Sequence, residues 1–195
     1  MRDMLLAFDL SDEDTHGGFN DSSSLFSLQH LQKLNLASNN FNSSIPSGFN
    51  ELEKLAYLNL SKASYVGQIP IEISHLRMLV TLDISYLPYS TTPPLKLKNP
   101  NLQKLTQNLT NIRKLYLDGI SITSRGHEWR NALLPLRDLQ ELSMYSCSLS
   151  GPLDSSLSKL ENLSIIIFGE NNFSSSVPQI FPNFKNLTTL NLQKC

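Results

Sequence analysis

The residues of this chain that could carry out chemistry are dispersed along the sequence. Its four histidines, His16, His30, His75 and His127, do not have the spacing of metal ligands. No pattern of a zinc protease, a phosphate-binding loop or a serine-hydrolase nucleophile turn occurs. The sequence therefore predicts no enzyme, no metal site and no cofactor. Tyrosine and arginine are often hot spots of protein interfaces, so contact chemistry is the better hypothesis.

We predict a contact surface for a protein or peptide ligand. Its predicted members lie at or beside outward-facing strand positions: Tyr57, Tyr86, Arg113, Lys114, Tyr116, Asp118, Tyr145, Ile165 and Ile167. Tyr116 and Tyr145 fall in neighbouring repeats and form the centre of this surface. A solvated sheet face with scattered aromatic residues is the alternative interpretation.

A recurring leucine pattern, L-x-x-L-x-L, must position these side chains. The last L-x-L of each copy marks a strand. The first residues of these L-x-L pairs are Leu34, Leu58, Leu82, Leu115, Leu142, Ile166 and Leu190, at spacings of 24, 24, 33, 27, 24 and 24 residues. This period is typical of a leucine-rich-repeat solenoid, an α/β repeat fold. We expect a curved right-handed horseshoe with short parallel strands on the concave face and 3-10 or irregular segments on the convex face.

The repeat spacing also predicts the organisation of the chain. Residues 1–27 are interpreted as the remnant of an N-terminal region with a weak first repeat. Residues 28–195 form the repeat domain, with about seven repeats. The two longer spacings place insertions at 87–104 and 120–131. Insertions in solenoids often serve binding, but they can equally fill the convex side.

The position that turns the chain after each strand predicts how repeats are joined. Asn39 and Asn171 occupy it, and Cys147 and Cys195 stand in the same place. An asparagine amide there can satisfy backbone groups of the adjacent turn, so we predict a structural ladder of these four residues. The cysteines are two repeats apart, about 10 Å from the strand spacing. A disulfide between them is therefore not expected.

Composition narrows the classes of partner. The net charge is −1 and like charges do not run together, which argues against nucleic acid and against a polybasic membrane surface. The first ten residues lack the pattern of a signal peptide, and no stretch has the 18 apolar residues of a membrane span. We interpret this as the signature of a partial sequence.

Two kinds of motif carry a resemblance to a known family. Gly67-Gln68-Ile69-Pro70 resembles the plant extracellular class of the repeat. The strings at 94–102, 115–119 and 149–157 are similar to receptor-like proteins of the Verticillium-wilt-resistance type. The resemblance implies a partial ectodomain of a plant receptor-like protein in pathogen perception and defence. It further implies a location on the extracellular side of the plasma membrane, and receptor-kinase partners acting through the full-length parent.

The family plan includes a signal peptide, paired cap cysteines, further repeats and a membrane span, which this sequence lacks. Other functions therefore stay open. They are a secreted inhibitor of wall-degrading enzymes, a receptor or co-receptor for a peptide hormone, and a truncated product without function.

Glycosylation motifs agree with an extracellular location. We predict glycans at the following positions: Asn20, Asn42, Asn108, Asn162, Asn172 and Asn186. Asn59 also begins such a motif, but it lies on a concave strand, where a glycan would block binding.

Overall fold

The computed structural model describes residues 5–86, 95–124, 126–153, 155–174 and 181–195. Its strands are β1 Ala7–Asp9, β2 Lys33–Asn35, β3 Tyr57–Asn59, β4 Thr81–Asp83, β5 Lys96–Leu97, β6 Lys114–Tyr116, β7 Ser121–Ile122, β8 Glu141–Ser143, β9 Ser150–Gly151, β10 Ile165–Ile167, β11 Asn172–Phe173 and β12 Thr189–Asn191. Its helices are α1 Leu102–Thr106 and α2 Glu128–Leu133. Its 3-10 segments are Ser24–Ser27, Ser47–Glu51, Ile71–His75, Ser155–Lys159 and Phe181–Asn183.

Eight strands form one parallel sheet in the order β1-β2-β3-β4-β6-β8-β10-β12. The order follows the sequence, so each connection returns over the other face before the next strand begins. The convex side carries the helices, the 3-10 segments and two small sheets, β5-β7 and β9-β11. This arrangement confirms the leucine-rich-repeat solenoid.

Buried leucines keep the strands in register. Leu34 lies beside Leu58, and Leu58 lies beside Leu82, each with no exposed surface. Leu82 pairs with Leu115 in the same way, although 33 residues separate the two. Burial of one leucine side chain stabilises the fold by about 1.5–3 kcal/mol, and a shift by one residue would expose this whole row to water.

The first strand continues the same sheet. Phe8 of β1 lies opposite Leu34, and the backbone N–H of Leu10 donates to the carbonyl of Asn35 at 2.9 Å. Residues 1–4 lie outside the described residues. The division of the chain at residue 28 stays a prediction.

Buried side chains at the turn position tie adjacent repeats together. The Asn171 carbonyl oxygen accepts from the backbone N–H groups of Cys147 and Leu149, both at 3.0 Å. Its amide nitrogen donates to the carbonyls of Met144 and Phe168 at 2.8 and 2.7 Å. One side chain thus forms hydrogen bonds with buried backbone groups of two repeats. Left without a hydrogen-bond partner, these buried groups would destabilise the fold.

Asn39 and the two cysteines make related contacts at the equivalent turns. Asn39 accepts from the backbone N–H of Thr15 at 2.9 Å and donates to the carbonyl of Leu10 at 2.7 Å. The Cys147 thiol donates to the carbonyl of Leu117, and the Cys195 thiol to that of Phe168, at 3.0 and 3.1 Å. Both thiols are free. Burial raises the pKa of the Cys147 thiol, so it stays protonated and able to donate.

Among the described residues between β4 and β8, the helices α1 and α2 lie on the convex side. Residues 87–94 and Arg125, parts of the two predicted insertions, lie outside the described residues. The helical spacing of Leu102 and Leu105 predicts a short convex helix. This helix is present as α1, and its N-cap Asn101 accepts from the backbone N–H of Lys104 at 3.0 Å. The Thr106 hydroxyl donates to the carbonyl of Ala132 at 2.6 Å and so joins α1 to α2.

The second insertion is anchored by a buried tryptophan. Trp129 is 0% exposed, packs against Phe168 and Phe173, and donates from its indole N–H to the Ser150 carbonyl at 3.2 Å. Arg130 is 2% exposed, lies over the Trp129 ring and donates to the Pro152 carbonyl. This segment fills the convex side, as one of the two interpretations proposed. No helix among the described residues is long and apolar enough to cross a membrane.

Candidate ligand-binding site

Outward side chains of the concave sheet form rows that run across the strands. The first row contains Lys33, Tyr57, Thr81, Lys114, Glu141, Ile165 and Thr189. The second row contains Asn35, Asn59, Asp83, Tyr116, Ser143, Ile167 and Asn191. Parallel strands lie about 4.8 Å apart, so neighbours in a row are in contact distance. Five of the nine predicted ligand-binding residues belong to β3, β6 and β10 in these rows.

A three-residue polar network lies at the centre of the sheet. The Lys114 ammonium is 2.8 Å from one Glu141 carboxylate oxygen, and the Tyr116 hydroxyl donates to the other. Burial acts against ionisation of Glu141, but the bonds from Lys114 and Tyr116 outweigh it and lower its pKa. Burial, followed by the Glu141 contact, raises the pKa of Tyr116. At neutral pH Glu141 is therefore ionised and Tyr116 is neutral, and these forms keep the network intact.

Asp118 forms a second polar contact set beside this network. One carboxylate oxygen accepts from the Ser143 hydroxyl at 2.6 Å and from the backbone N–H of Tyr145 at 2.8 Å. Burial raises the pKa of Asp118, while the two hydrogen bonds lower it, and the net direction is upward. The carboxylate is consequently held by β8 and is only partly available to a ligand.

The Tyr145 ring is positioned by a glycine of the next repeat. A Cβ atom added to Gly169 would lie 2.9 Å from the Tyr145 ring. The ring therefore packs closely against the backbone at Gly169, where any larger side chain would displace it. Tyr145 is half-buried and adjoins the Asp118 contacts through its own N–H.

Two isoleucines add apolar surface to the concave face. Ile165 lies opposite Glu141 and Ile167 opposite Ser143, and both are half-buried, while Ile166 between them enters the core. The structure thus brings these isoleucines into the row beside the polar network. We name this group the concave patch, defined by Lys114, Tyr116, Asp118, Glu141, Tyr145, Ile165 and Ile167.

The other predicted contact residues are not members of the concave patch. Tyr57 is two strands away, with the Lys33 ammonium 5.1 Å from its ring centre. Arg113 is exposed directly before β6. The expectation that Tyr86 is exposed is wrong, because Tyr86 is 7% exposed and its backbone carbonyl packs against Gly119. The Tyr86 side chain is therefore buried and does not form part of the exposed concave surface.

The predicted glycosylation sites occupy different surfaces. The following asparagines are exposed: Asn20, Asn42, Asn162, Asn172 and Asn186. Asn108 is half-buried. The side-chain nitrogens of Asn162 and Asn186 donate to carbonyls of the preceding repeat, those of Arg137 and Glu161, at 3.0 and 3.2 Å. Asn59 lies in β3, where its side-chain oxygen accepts from the Ser61 N–H at 3.0 Å.

Sequence reasoning missed the residues that hold the concave patch in place. Glu141 joins Lys114 to Tyr116, Ser143 holds Asp118, and Gly169 makes room for Tyr145. The Lys114–Glu141 pair could have been found, because both residues occupy the same place in successive repeats. The contacts of Ser143 and Gly169 depend on side-chain directions, which repeat spacing does not specify.

Sheet order, leucine register and turn ladder together define a leucine-rich-repeat fold. The Leucine Rich Repeat family model matches residues 30–52 and 138–160. Along 95% of its length the chain is 35% identical to Receptor-like protein 6 of Arabidopsis thaliana, of which it covers 21%. It is also 49% identical over 49 residues to Receptor-like protein 7 of the same plant, covering 5% of that protein. The chain thus spans about a fifth of the length of Receptor-like protein 6.

Solved structures of plant receptors share the fold. The structure of PEPR1-AtPEP1 superposes with a TM-score of 0.76 and 26% identity, covering 97% of this chain and 25% of that one. The Arabidopsis receptor kinase HAESA, in complex with the peptide hormone IDA and the co-receptor SERK1, gives a TM-score of 0.78 and 26% identity. That match covers 97% of this chain and 30% of HAESA.

Proposed function

We propose that this chain is part of the extracellular recognition domain of a plant cell-surface receptor-like protein that acts in defence signalling. It binds a peptide or an extended protein segment at the concave patch. The observation that carries the proposal is the patch itself, in which polar groups are held by cross-strand contacts next to two half-buried isoleucines. A surface organised before binding loses less conformational entropy when a ligand arrives.

The similar proteins support a binding function. HAESA was solved with a peptide hormone and a co-receptor, and PEPR1 with AtPEP1. By analogy, signalling would depend on receptor-kinase partners of the full-length parent. A non-catalytic function agrees with the leucine-rich-repeat fold of the chain.

A matched pair of substitutions tests the proposed surface. A library of random dodecapeptides is selected on the purified chain, and the affinity of the best binder is compared among variants. Ile167→Glu should weaken binding at least about tenfold, or 1.4 kcal/mol, because it places a charge in the apolar part of the patch. Met78→Glu is the control, since Met78 is an exposed apolar residue at the edge before β4.

Equal affinity of the wild type and Ile167→Glu would contradict the concave site. Both variants must keep the circular dichroism spectrum and the melting temperature of the wild type for the comparison to count.

We further propose that the extracellular parent carries glycans at the exposed motifs, including Asn162 and Asn186. A glycan replaces one amide hydrogen, and the second can keep the bond to the preceding repeat. Protein expressed in plant cells should lose mass on glycosidase treatment, and site mapping should find Asn59 unmodified. An unchanged intact mass would refute the proposal.

A further inference from the structure

Asp83 is an acidic group of the concave sheet without a cationic partner. Its carboxylate accepts from the backbone N–H of Ser85 at 3.0 Å, and among the described residues no lysine or arginine forms an ion pair with it. Two other concave carboxylates bind side chains of the fold. Glu141 is paired with Lys114, and Asp9 accepts from the Ser11 hydroxyl and the Asn35 amide.

Asp83 has a second carboxylate in the next repeat, and the lysine of the neighbouring strand β6, Lys114, is paired with Glu141. The Asp118 carboxylate lies in the next repeat and is held by Ser143 and Tyr145, without a cation. The pKa of Asp118 is raised chiefly by burial, and the negative charge of Asp83 adds to this rise. Lys33, two strands away, lies over the Tyr57 ring instead of pairing with a carboxylate. Asp83 and Asp118 are thus two neighbouring carboxylates that form no ion pair with these lysines.

The isoleucines lie at a fixed separation from this charge. Asp83, Tyr116, Ser143 and Ile167 are successive members of one row. Three strand spacings of about 4.8 Å place Ile167 about 14 Å from Asp83. An extended peptide advances about 3.3–3.6 Å per residue, so about four residues cover this distance. Residues i and i+4 of an extended chain point to the same side, which lets both face the sheet.

Resting on the proposed function, we propose that the ligand is an extended peptide segment that crosses the strands and carries a lysine or arginine about four residues from an apolar residue. The basic group pairs with Asp83, and the apolar side chain packs on Ile165 and Ile167. Charge complementarity selects the basic residue, since an acidic ligand would meet two uncompensated carboxylates. Between the two contacts the ligand passes over Tyr116 and Ser143.

Asp83→Asn is the appropriate variant because the asparagine oxygen can still accept from the Ser85 N–H. The dodecapeptide library is selected in parallel on the wild type, Asp83→Asn and Asp83→Lys. Wild-type binders should be enriched in lysine or arginine, three to five positions from a leucine, isoleucine, valine or phenylalanine. Enrichment of the basic residue should vanish with Asp83→Asn and change to glutamate or aspartate with Asp83→Lys.

For one selected synthetic peptide, Asp83→Asn should weaken binding by up to about fivefold at low salt, as expected for a solvent-accessible ion pair. The difference should shrink in about 0.5 M NaCl, where the Debye length falls to a few ångströms. Thr81→Ala, in the same strand, is the matched control and should leave the basic preference unchanged.

The possible outcomes separate this inference from the proposed function. Binders that depend on Ile167 but show no basic preference, or a preference that Asp83→Asn leaves intact, overturn the inference and leave the concave site standing. Failure to select any binder on the wild type contradicts both.

Discussion

Between β4 and β8 the convex and concave faces of the solenoid have different characters. On the convex side, Trp129, Arg130 and Thr106 are buried, and their contacts run between secondary-structure elements of the core. On the concave side, Lys114 and Tyr116 are half-buried, and their contacts run along the surface. The irregular repeat spacing therefore marks a place where extra core is built. The candidate contact residues lie on the opposite, concave face, where β4, β6 and β8 stay in register.

The largest effect should come from the convex anchor. Trp129→Ala removes a fully buried ring that packs on Phe168 and Phe173, and should lower the free energy of unfolding by about 3–5 kcal/mol. Denaturant titration followed by far-UV circular dichroism measures it, because this substitution removes the chain's only tryptophan fluorophore. Peptide affinity should be unchanged where the variant is still folded. Loss of affinity with unchanged stability would move the binding surface to the convex side.

An intermediate effect should come from the contact between α1 and α2. Thr106→Val keeps the side-chain shape but leaves the Ala132 carbonyl without its 2.6 Å partner, so we expect a loss of about 1–3 kcal/mol in the free energy of unfolding. The exposed Thr110 provides the control, since Thr110→Val should change stability by less than about 0.5 kcal/mol. Denaturant titration of both variants gives the difference. Equal stabilities of the two would show that the hydrogen bond contributes nothing net.

The smallest effect should come from the concave carboxylate Asp118. Its pKa is raised by burial above the ordinary 3.8, so its ionised form opposes folding at neutral pH, and this cost disappears as pH falls below 3.8. Asp118→Asn can retain both accepted bonds and should raise the free energy of unfolding at pH 7 by about 1 kcal/mol or less. The gain should diminish towards pH 4. A loss of stability at pH 7 would mean that Ser143 and Tyr145 favour the charged form more strongly than burial disfavours it.

Repeat spacing predicts most of the fold. Leu34, Leu58 and Leu82 identify three strands with their register, and the helical spacing of Leu102 and Leu105 identifies α1. These features follow from local periodicity, which a single sequence shows directly. The sequence does not indicate that α2 belongs to the core, because Trp129 could equally lie in an exposed loop. Burial of that ring depends on Phe168 and Phe173 in the next repeat.

The candidate site was predicted in outline and not in detail. Alternation along a strand correctly places Tyr116 and Ile167 on the concave face. It fails at Tyr86, where the chain has left the strand and no longer alternates. The roles of Glu141 and Gly169 depend on side-chain positions across repeats, so they emerge only from coordinates.

The pairing of Leu82 with Leu115 has a consequence for how such a protein can vary. The two residues are one strand spacing apart whether 24 or 33 residues of chain lie between them, so the concave rows keep a constant pitch. A ligand on that face cannot detect the length of a convex segment. Residues gained or lost on the outer side can thus accumulate in descendants of this gene without altering the spacing of the contacts that a ligand meets.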